Sequence, residues 1–105
     1  MRYAITLMAA LPLCVASVSR AADGAALFKQ HCATCHGATG FSDTPAGKSL
    51  KVPALAGDAK IAGLSEADVA TKIRGNPKHA AALKGLKDED VEALAAYVQN
   101  LAGTK

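Results

Sequence analysis

Apolar residues return every three or four positions near the carboxyl end of the chain. Acidic residues stand at the start of this stretch, near residue 88, where the positive end of a helix dipole favours them. The apolar positions up to residue 101 share one helix face, and they are Val91, Leu94, Ala95, Val98 and Leu101. The pattern predicts a closing helix with one buried face.

Another helix is predicted near the amino end. Asp23 can serve as its N-cap, and residues 24–33 have good or tolerable helix propensity. Gly24 and Phe28 are four positions apart and so share one face, where a glycine lets a second helix approach closely. Tyr97 of the closing helix is the predicted packing partner of this face.

The middle of the chain divides into a loop and one further helix. Glycine and proline recur through residues 37–63, which predicts a loop that wraps a surface. Ser65 then has the position of an N-cap, and Gly75 closes a helix whose Val69 and Ile73 are expected to face inward. Because no stretch has a convincing strand pattern, the chain is predicted to be all-α.

Residues 1–21 are typical of a secretory signal peptide. Arg2 gives the positive start and residues 3–18 form the apolar stretch. Ser19 and Ala21 place small side chains at the two positions that signal peptidase reads. An uncleaved membrane anchor is the alternative, but polar interruptions leave the apolar run short of the about 20 residues that span a bilayer. We expect cleavage and a single mature domain over residues 22–105.

Removal of the signal peptide changes the charge of the chain. The full 105 residues carry a formal net charge of +3, and loss of Arg2 and Arg20 lowers it to +1. Because the chain has neither a basic run nor a set of stacking aromatic residues, no nucleic-acid partner is expected. The mature chain is long enough for one small domain, whose core would be marginal if it consisted of peptide alone.

Cys32, Cys35 and His36 form the pattern of covalent haem attachment. In Cys-x-x-Cys-His each thiol adds to a haem vinyl group and the histidine binds the iron. The alternatives are a zinc half-site, a thioredoxin-like redox pair and a structural disulfide. Zinc would need a second ligand pair, but Cys14 is the only other cysteine. A thioredoxin-like pair would need a βαβ pattern, and no stretch has a convincing strand pattern. The export signal and the helical pattern favour haem.

The loop contains one apolar segment, residues 52–55, that is expected to pack against a haem face. A backbone carbonyl near Pro53 is expected to accept a hydrogen bond from the far nitrogen of His36, which would fix the ring and raise its basicity. His31 is assigned to the surface, because its neighbour Cys32 would be tied to the haem rim.

The order of these features resembles a known family. A helix with Gly24 and Phe28, the haem motif, a loop at residues 53–55 and a closing helix over residues 85–98 are similar to the small bacterial monohaem class I cytochromes c. The resemblance covers essentially the whole mature chain. It implies three to four helices around one covalently attached haem c, and electron transfer in the bacterial periplasm.

The resemblance also implies roles for individual residues. Cys32 and Cys35 would form the thioether bonds, His36 would be the proximal iron ligand, and Pro53 would supply the carbonyl to His36. The first and last helices would cross beside the haem.

The chain departs from this family at the sixth iron position. Most members use a methionine there, but the only methionines are Met1 and Met8, both in the predicted signal peptide. His79 falls at about the place of the missing methionine, which predicts iron ligation by His36 and His79. The alternatives are Lys78 or an iron with no second protein ligand.

Two imidazole ligands predict a low-potential electron carrier rather than an enzyme. Replacing a thioether by an imidazole removes a soft ligand that favours ferrous iron. Transient redox proteins are the expected partners of a monomer that is not stably inserted in a membrane after signal cleavage. The alternative is a small-molecule sensor or a peroxidase-like protein with an open sixth position, and a fixed subunit of a larger oxidoreductase is a third possibility.

Overall fold

The computed structural model describes the backbone of residues 20–103 and the side chains of residues 23–103. The predicted signal peptide lies almost wholly outside these residues, so its cleavage and the start of the domain at residue 22 stay predictions. Within the described residues all regular structure is helical and no strand forms, which confirms the predicted all-α class. None of the described helices is long and apolar enough to cross a membrane.

Three longer helices carry the fold, and shorter helical segments connect them. The longer ones are α1 (Arg20–His31), α5 (Glu66–Gly75) and α7 (Asp88–Ala102). The shorter ones are α2 (Ala33–His36), α3 (Pro45–Ser49), α4 (Ala59–Ala62), a 3₁₀ turn (Pro77–His79) and α6 (Ala80–Leu83).

The bounds of the first helix differ from those that the sequence predicted. The expected start at residue 24 is wrong, because α1 begins at Arg20 and Asp23 lies in its first turn. The expected end at residue 33 is also wrong. Helix α1 stops at His31, and Cys32 adopts φ −121° and ψ −32° between α1 and α2. A continuous run of residues with helix propensity contains no sign of that break.

The crossing of α1 and α7 forms the centre of the core, as predicted. A β-carbon added to Gly24 would collide with the Ala93 carbonyl and would approach Tyr97 Cβ to 2.9 Å. The rings of Phe28 and Tyr97 lie 5.2 Å apart between centroids, at an interplanar angle of 53°, which is a favourable aromatic arrangement. Phe28 and Leu94 are each only 1% exposed, so the crossing is tightly packed.

Helix α5 packs against α7 through the face that the sequence predicted. Ser65 caps the helix by accepting a hydrogen bond from the Asp68 amide at 3.1 Å, and Val69 is buried in the core. Ile73 is partly buried and packs on the same core. The Gln99 side-chain amide also donates to the Leu64 carbonyl, which ties the start of this region to α7.

The segment between the haem motif and α5 contains two short helices rather than only loop. Asp58 caps α4 by accepting from the Lys60 and Ile61 amides. The Gly40 carbonyl accepts from the Leu55 amide at 2.7 Å, and the Gly57 amide donates to the Leu101 carbonyl at 3.3 Å. These contacts fold the segment back against the end of α7.

Candidate haem site

Residues 32–36, which we call the attachment turn, bring both thiols onto one turn of the chain. The amides of Cys35 and His36 both donate to the Cys32 carbonyl, at 3.2 and 3.0 Å. Cys32 and Cys35 are half-buried and are not joined in a disulfide. The two sulfur atoms therefore remain available, within a single turn of the chain, for two thioether bonds.

A second segment holds the attachment turn from outside. Thr44 caps α3 by accepting from the Gly47 amide at 2.9 Å, and its hydroxyl donates to the Thr34 carbonyl at 2.6 Å. Gly47 packs so closely that an added β-carbon would collide with the Cys35 carbonyl. These contacts were not predicted from the sequence, although a threonine directly before a proline is a common helix start.

The electrostatics of Cys32 distinguish between the chemistries that the motif permits. Burial, and next the neighbouring Cys35, raise the pKa of the Cys32 thiol to about 11. A redox-active cysteine instead needs a lowered pKa, because the thiolate is the nucleophile. Cys32 is therefore a neutral thiol at pH 7, which argues against a thioredoxin-like redox pair.

His36 stands at the end of the attachment turn with an unused ring nitrogen. Its Nδ1 is buried and has no hydrogen-bond partner among the described residues. Burial, and next the electrostatic interaction with His79, lower the pKa of His36. The imidazole is therefore neutral at pH 7, and neutral imidazole is the form that binds a metal.

The structure brings the ring of His79 close to that of His36. The centroids of the two rings lie 6.2 Å apart, at an interplanar angle of 59°. Two imidazoles that bind one metal ion from opposite sides, with bonds of about 2 Å, have ring centres roughly 6 Å apart. The separation is thus compatible with two imidazoles that would bind one metal ion, while the ligation of iron by His79 itself stays a prediction.

Hydrogen bonding fixes the ring of His79. Its Nδ1 donates to the Ile73 carbonyl at 2.7 Å, which leaves Nε2 with its lone pair. Lys78, the other candidate for the sixth iron position, is an exposed residue of the 3₁₀ turn.

The expected hydrogen bond between His36 and a carbonyl near Pro53 does not form in this structure. Ser42 Oγ donates to the Pro53 carbonyl at 2.9 Å instead. Ser42 has a positive φ of 53° and is buried, and this backbone turn brings its hydroxyl to Pro53. Because a carbonyl oxygen has two lone pairs, the role of Pro53 toward a haem-bound His36 stays a prediction.

The arrangement fits a haem better than a metal ion held by side chains alone. The described residues contain no group of three or more His, Cys, Asp or Glu side chains that could hold a metal. Two imidazoles would supply only two ligands to a metal, whereas a haem brings its own ring of nitrogen ligands. His36 and His79 would bind the iron of such a group, and Cys32 and Cys35 would attach its rim.

Comparison with known proteins supports the presence of a covalently bound haem. The family model described as "Cytochrome c" matches residues 21–102, which include the attachment turn, His79 and all of α7. Neither the curated proteins nor the solved structures yield a match. Members of the family carry haem c bound through a cysteine pair, and Cys32 and Cys35 have that spacing. The chain therefore belongs to the cytochrome c family.

Proposed function

We propose that this protein is an exported carrier of single electrons with a haem ligated by two histidines. The family relationship supports haem-based electron transfer in general. The finer assignment is that His36 is the proximal ligand and His79 the distal one, with a reduction potential below that of relatives that use histidine and methionine.

The observation that carries this proposal is the short separation of the two imidazole rings. A ring separation of 6.2 Å leaves room for one metal ion between His36 and His79 and for no additional small ligand on that line. When it is bound, the haem supplies a centre that gains and loses one electron. The two histidines would hold its iron in the same coordination in both oxidation states, which keeps the reorganisation small.

The residues near His79 favour a carrier over a peroxidase-like enzyme. General acid–base catalysis at an open iron position requires a side chain that can exchange protons within hydrogen-bond reach. Ala80, Ala81 and Ala82 follow His79 directly, and alanine offers no such group. No observation of comparable weight favours a small-molecule sensor, which we keep as an outcome of the test below.

The proposed setting is the bacterial periplasm, after cleavage of the signal peptide. The partners would be redox proteins that bind transiently to a monomer, through a small interface typical of electron-transfer encounters. The near-neutral charge of the mature domain predicts weak electrostatic steering and no nucleic-acid binding.

Near-infrared magnetic circular dichroism of the ferric, haem-loaded protein tests the ligand assignment. We expect a low-spin signature of two imidazoles in the wild type, and we expect His79→Ala to abolish it. His31→Ala is the matched control, because it removes a different histidine, at the end of α1, and should retain the signature.

The opposite results would identify the alternative functions. High-spin iron in the wild type, or a signature that His79→Ala leaves intact, would contradict ligation by His79. Binding of a small ligand or turnover of peroxide by that wild-type protein would then support a sensor or a peroxidase-like enzyme. A reversible one-electron couple without peroxide turnover is the result expected for a carrier.

A further inference from the structure

We propose that Pro77 and Asn76 are positioning residues that present the Ile73 carbonyl to the ring of His79 and so set the strength of this iron ligand. The inference rests on the proposed function, because it concerns how the distal histidine is held.

The first step concerns the carbonyl at the end of α5. In an α-helix the Ile73 carbonyl would accept a hydrogen bond from the amide four residues later, which is residue 77. Residue 77 is a proline, and proline has no amide hydrogen. The Ile73 carbonyl therefore loses its helical donor and is available to the Nδ1 group of His79, which donates to it at 2.7 Å.

The second step concerns the path of the chain between these two residues. Asn76 leaves the helix with φ −87° and ψ 117°, the extended conformation that a following proline favours. Its side-chain oxygen accepts from the Lys78 amide at 3.0 Å, and its carbonyl accepts from the His79 amide at 2.9 Å. Asn76 thus caps the 3₁₀ turn that returns His79 to the end of α5.

The third step concerns the chemistry of the hydrogen bond. A carbonyl can only accept, so the proton resides on Nδ1 of His79 and Nε2 keeps the lone pair for iron. The acceptor lies in the last turn of α5, where aligned peptide dipoles leave partial negative charge. Such an acceptor makes the imidazole a stronger donor to iron, which favours the ferric state.

The two histidines are unequal in this respect. His79 has an acceptor for its outer nitrogen, whereas Nδ1 of His36 is buried without a partner among the described residues. Among the described residues, the hydrogen bond from His79 to the Ile73 carbonyl is thus the contact through which the chain sets the ligand strength of His79.

The experiment uses the haem-loaded protein with ¹⁵N-labelled histidine in the diamagnetic ferrous state. Proton NMR reports ligation of His79 through the upfield shift of its ring protons, and reports the hydrogen bond through slow exchange of its Nδ1 proton. Pro77→Ala restores an amide that competes for the Ile73 carbonyl. We expect roughly five- to tenfold faster exchange of that proton, the size expected for loss of one net hydrogen bond.

Two further readouts separate a positioning role from a general loss of stability. Pro77→Ala should shift the reduction potential upward and raise the apparent affinity of the ferric protein for cyanide, which displaces His79, by about tenfold. Pro45→Ala is the matched control, since Pro45 also occupies the first turn of a short helix, and it should leave all three readouts unchanged.

Substitution of Asn76 gives an independent test. Asn76→Ala removes the cap of the 3₁₀ turn and should change the three readouts in the same direction as Pro77→Ala. Asn76→Ser retains a neutral capping oxygen and should restore values close to those of the wild type.

The outcomes distinguish failure of the inference from failure of the proposed function. If the His79 ring protons show upfield shifts but Pro77→Ala matches Pro45→Ala in exchange and potential, ligation by His79 stands and the inference is overturned. If the ring protons of the wild type have ordinary shifts, His79 does not bind iron, and both are overturned.

Discussion

The two histidines of the site are held by regions that differ in packing. The attachment turn of His36 follows α1, whose Gly24 and Phe28 are buried against α7. His79 lies on a 3₁₀ turn that, together with α6, contributes no buried residue. The position of His36 therefore depends on a packed core, and that of His79 depends on a few hydrogen bonds within a surface segment. Such segments open locally at a lower free energy than the core.

The largest predicted effect belongs to the helix crossing beside the attachment turn. Gly24→Ala should lower the free energy of unfolding by roughly 2–3 kcal/mol, because the new methyl group collides with the Ala93 carbonyl and must separate α1 from α7. Chemical denaturation of the haem-loaded protein measures the loss. Gly75→Ala is the control, since its β-carbon meets nothing within 4 Å. Equal losses in the free energy of unfolding of the two variants would contradict the close packing of α1 against α7 at Gly24.

A smaller effect is predicted for the segment that holds the attachment turn. Thr44→Val removes both the cap of α3 and the hydrogen bond to the Thr34 carbonyl, and should cost about 1 kcal/mol. Thr71→Val has the same change of side chain and removes only an exposed bond to the Ala67 carbonyl of its own helix. Urea titrations should give a larger loss in the free energy of unfolding for Thr44→Val than for Thr71→Val. An equal loss in the two variants would show that Thr44 has no special role.

The smallest effect is predicted near His79. Arg74 and Asp88 form an ion pair at 3.3 Å, with the Asp88 side chain 92% exposed. Solvent screening makes such pairs weak, so Arg74→Ala should change the free energy of unfolding by less than about 0.5 kcal/mol. Thermal unfolding at low and high salt measures this change in the free energy of unfolding. Lys72→Ala, on the same helix, is the control. A loss well above that of Lys72→Ala would mean that this ion pair fastens α5 to α7 and that the region of His79 is held more firmly than we infer.

The helices whose apolar residues recur at a regular spacing could be predicted from the sequence. The buried positions Val91, Leu94 and Val98 recur at helical spacing, and Ser65 and Gly75 mark the start and end of α5. A local motif likewise identified the attachment turn, because all of its chemistry lies within five consecutive residues.

The contacts between loops could not be predicted in the same way. The bonds from Thr44 to Thr34 and from Ser42 to Pro53 join residues about ten positions apart, and they depend on the path of the chain between them. The acceptor of His79 did have a signal in the sequence. Pro77 stands four residues after Ile73, so a helix that includes Ile73 must leave that carbonyl without its usual donor.

The absence of methionine from residues 20–103 has a chemical consequence beyond the reduction potential. A thioether ligand is lost when peroxide converts methionine to its sulfoxide, a product that repair enzymes must reduce before the side chain regains its former character. Imidazoles at positions 36 and 79 do not enter that oxidation ladder. With both iron ligands drawn from histidine, the site would keep its coordination through oxidative stress that disables a histidine and methionine pair.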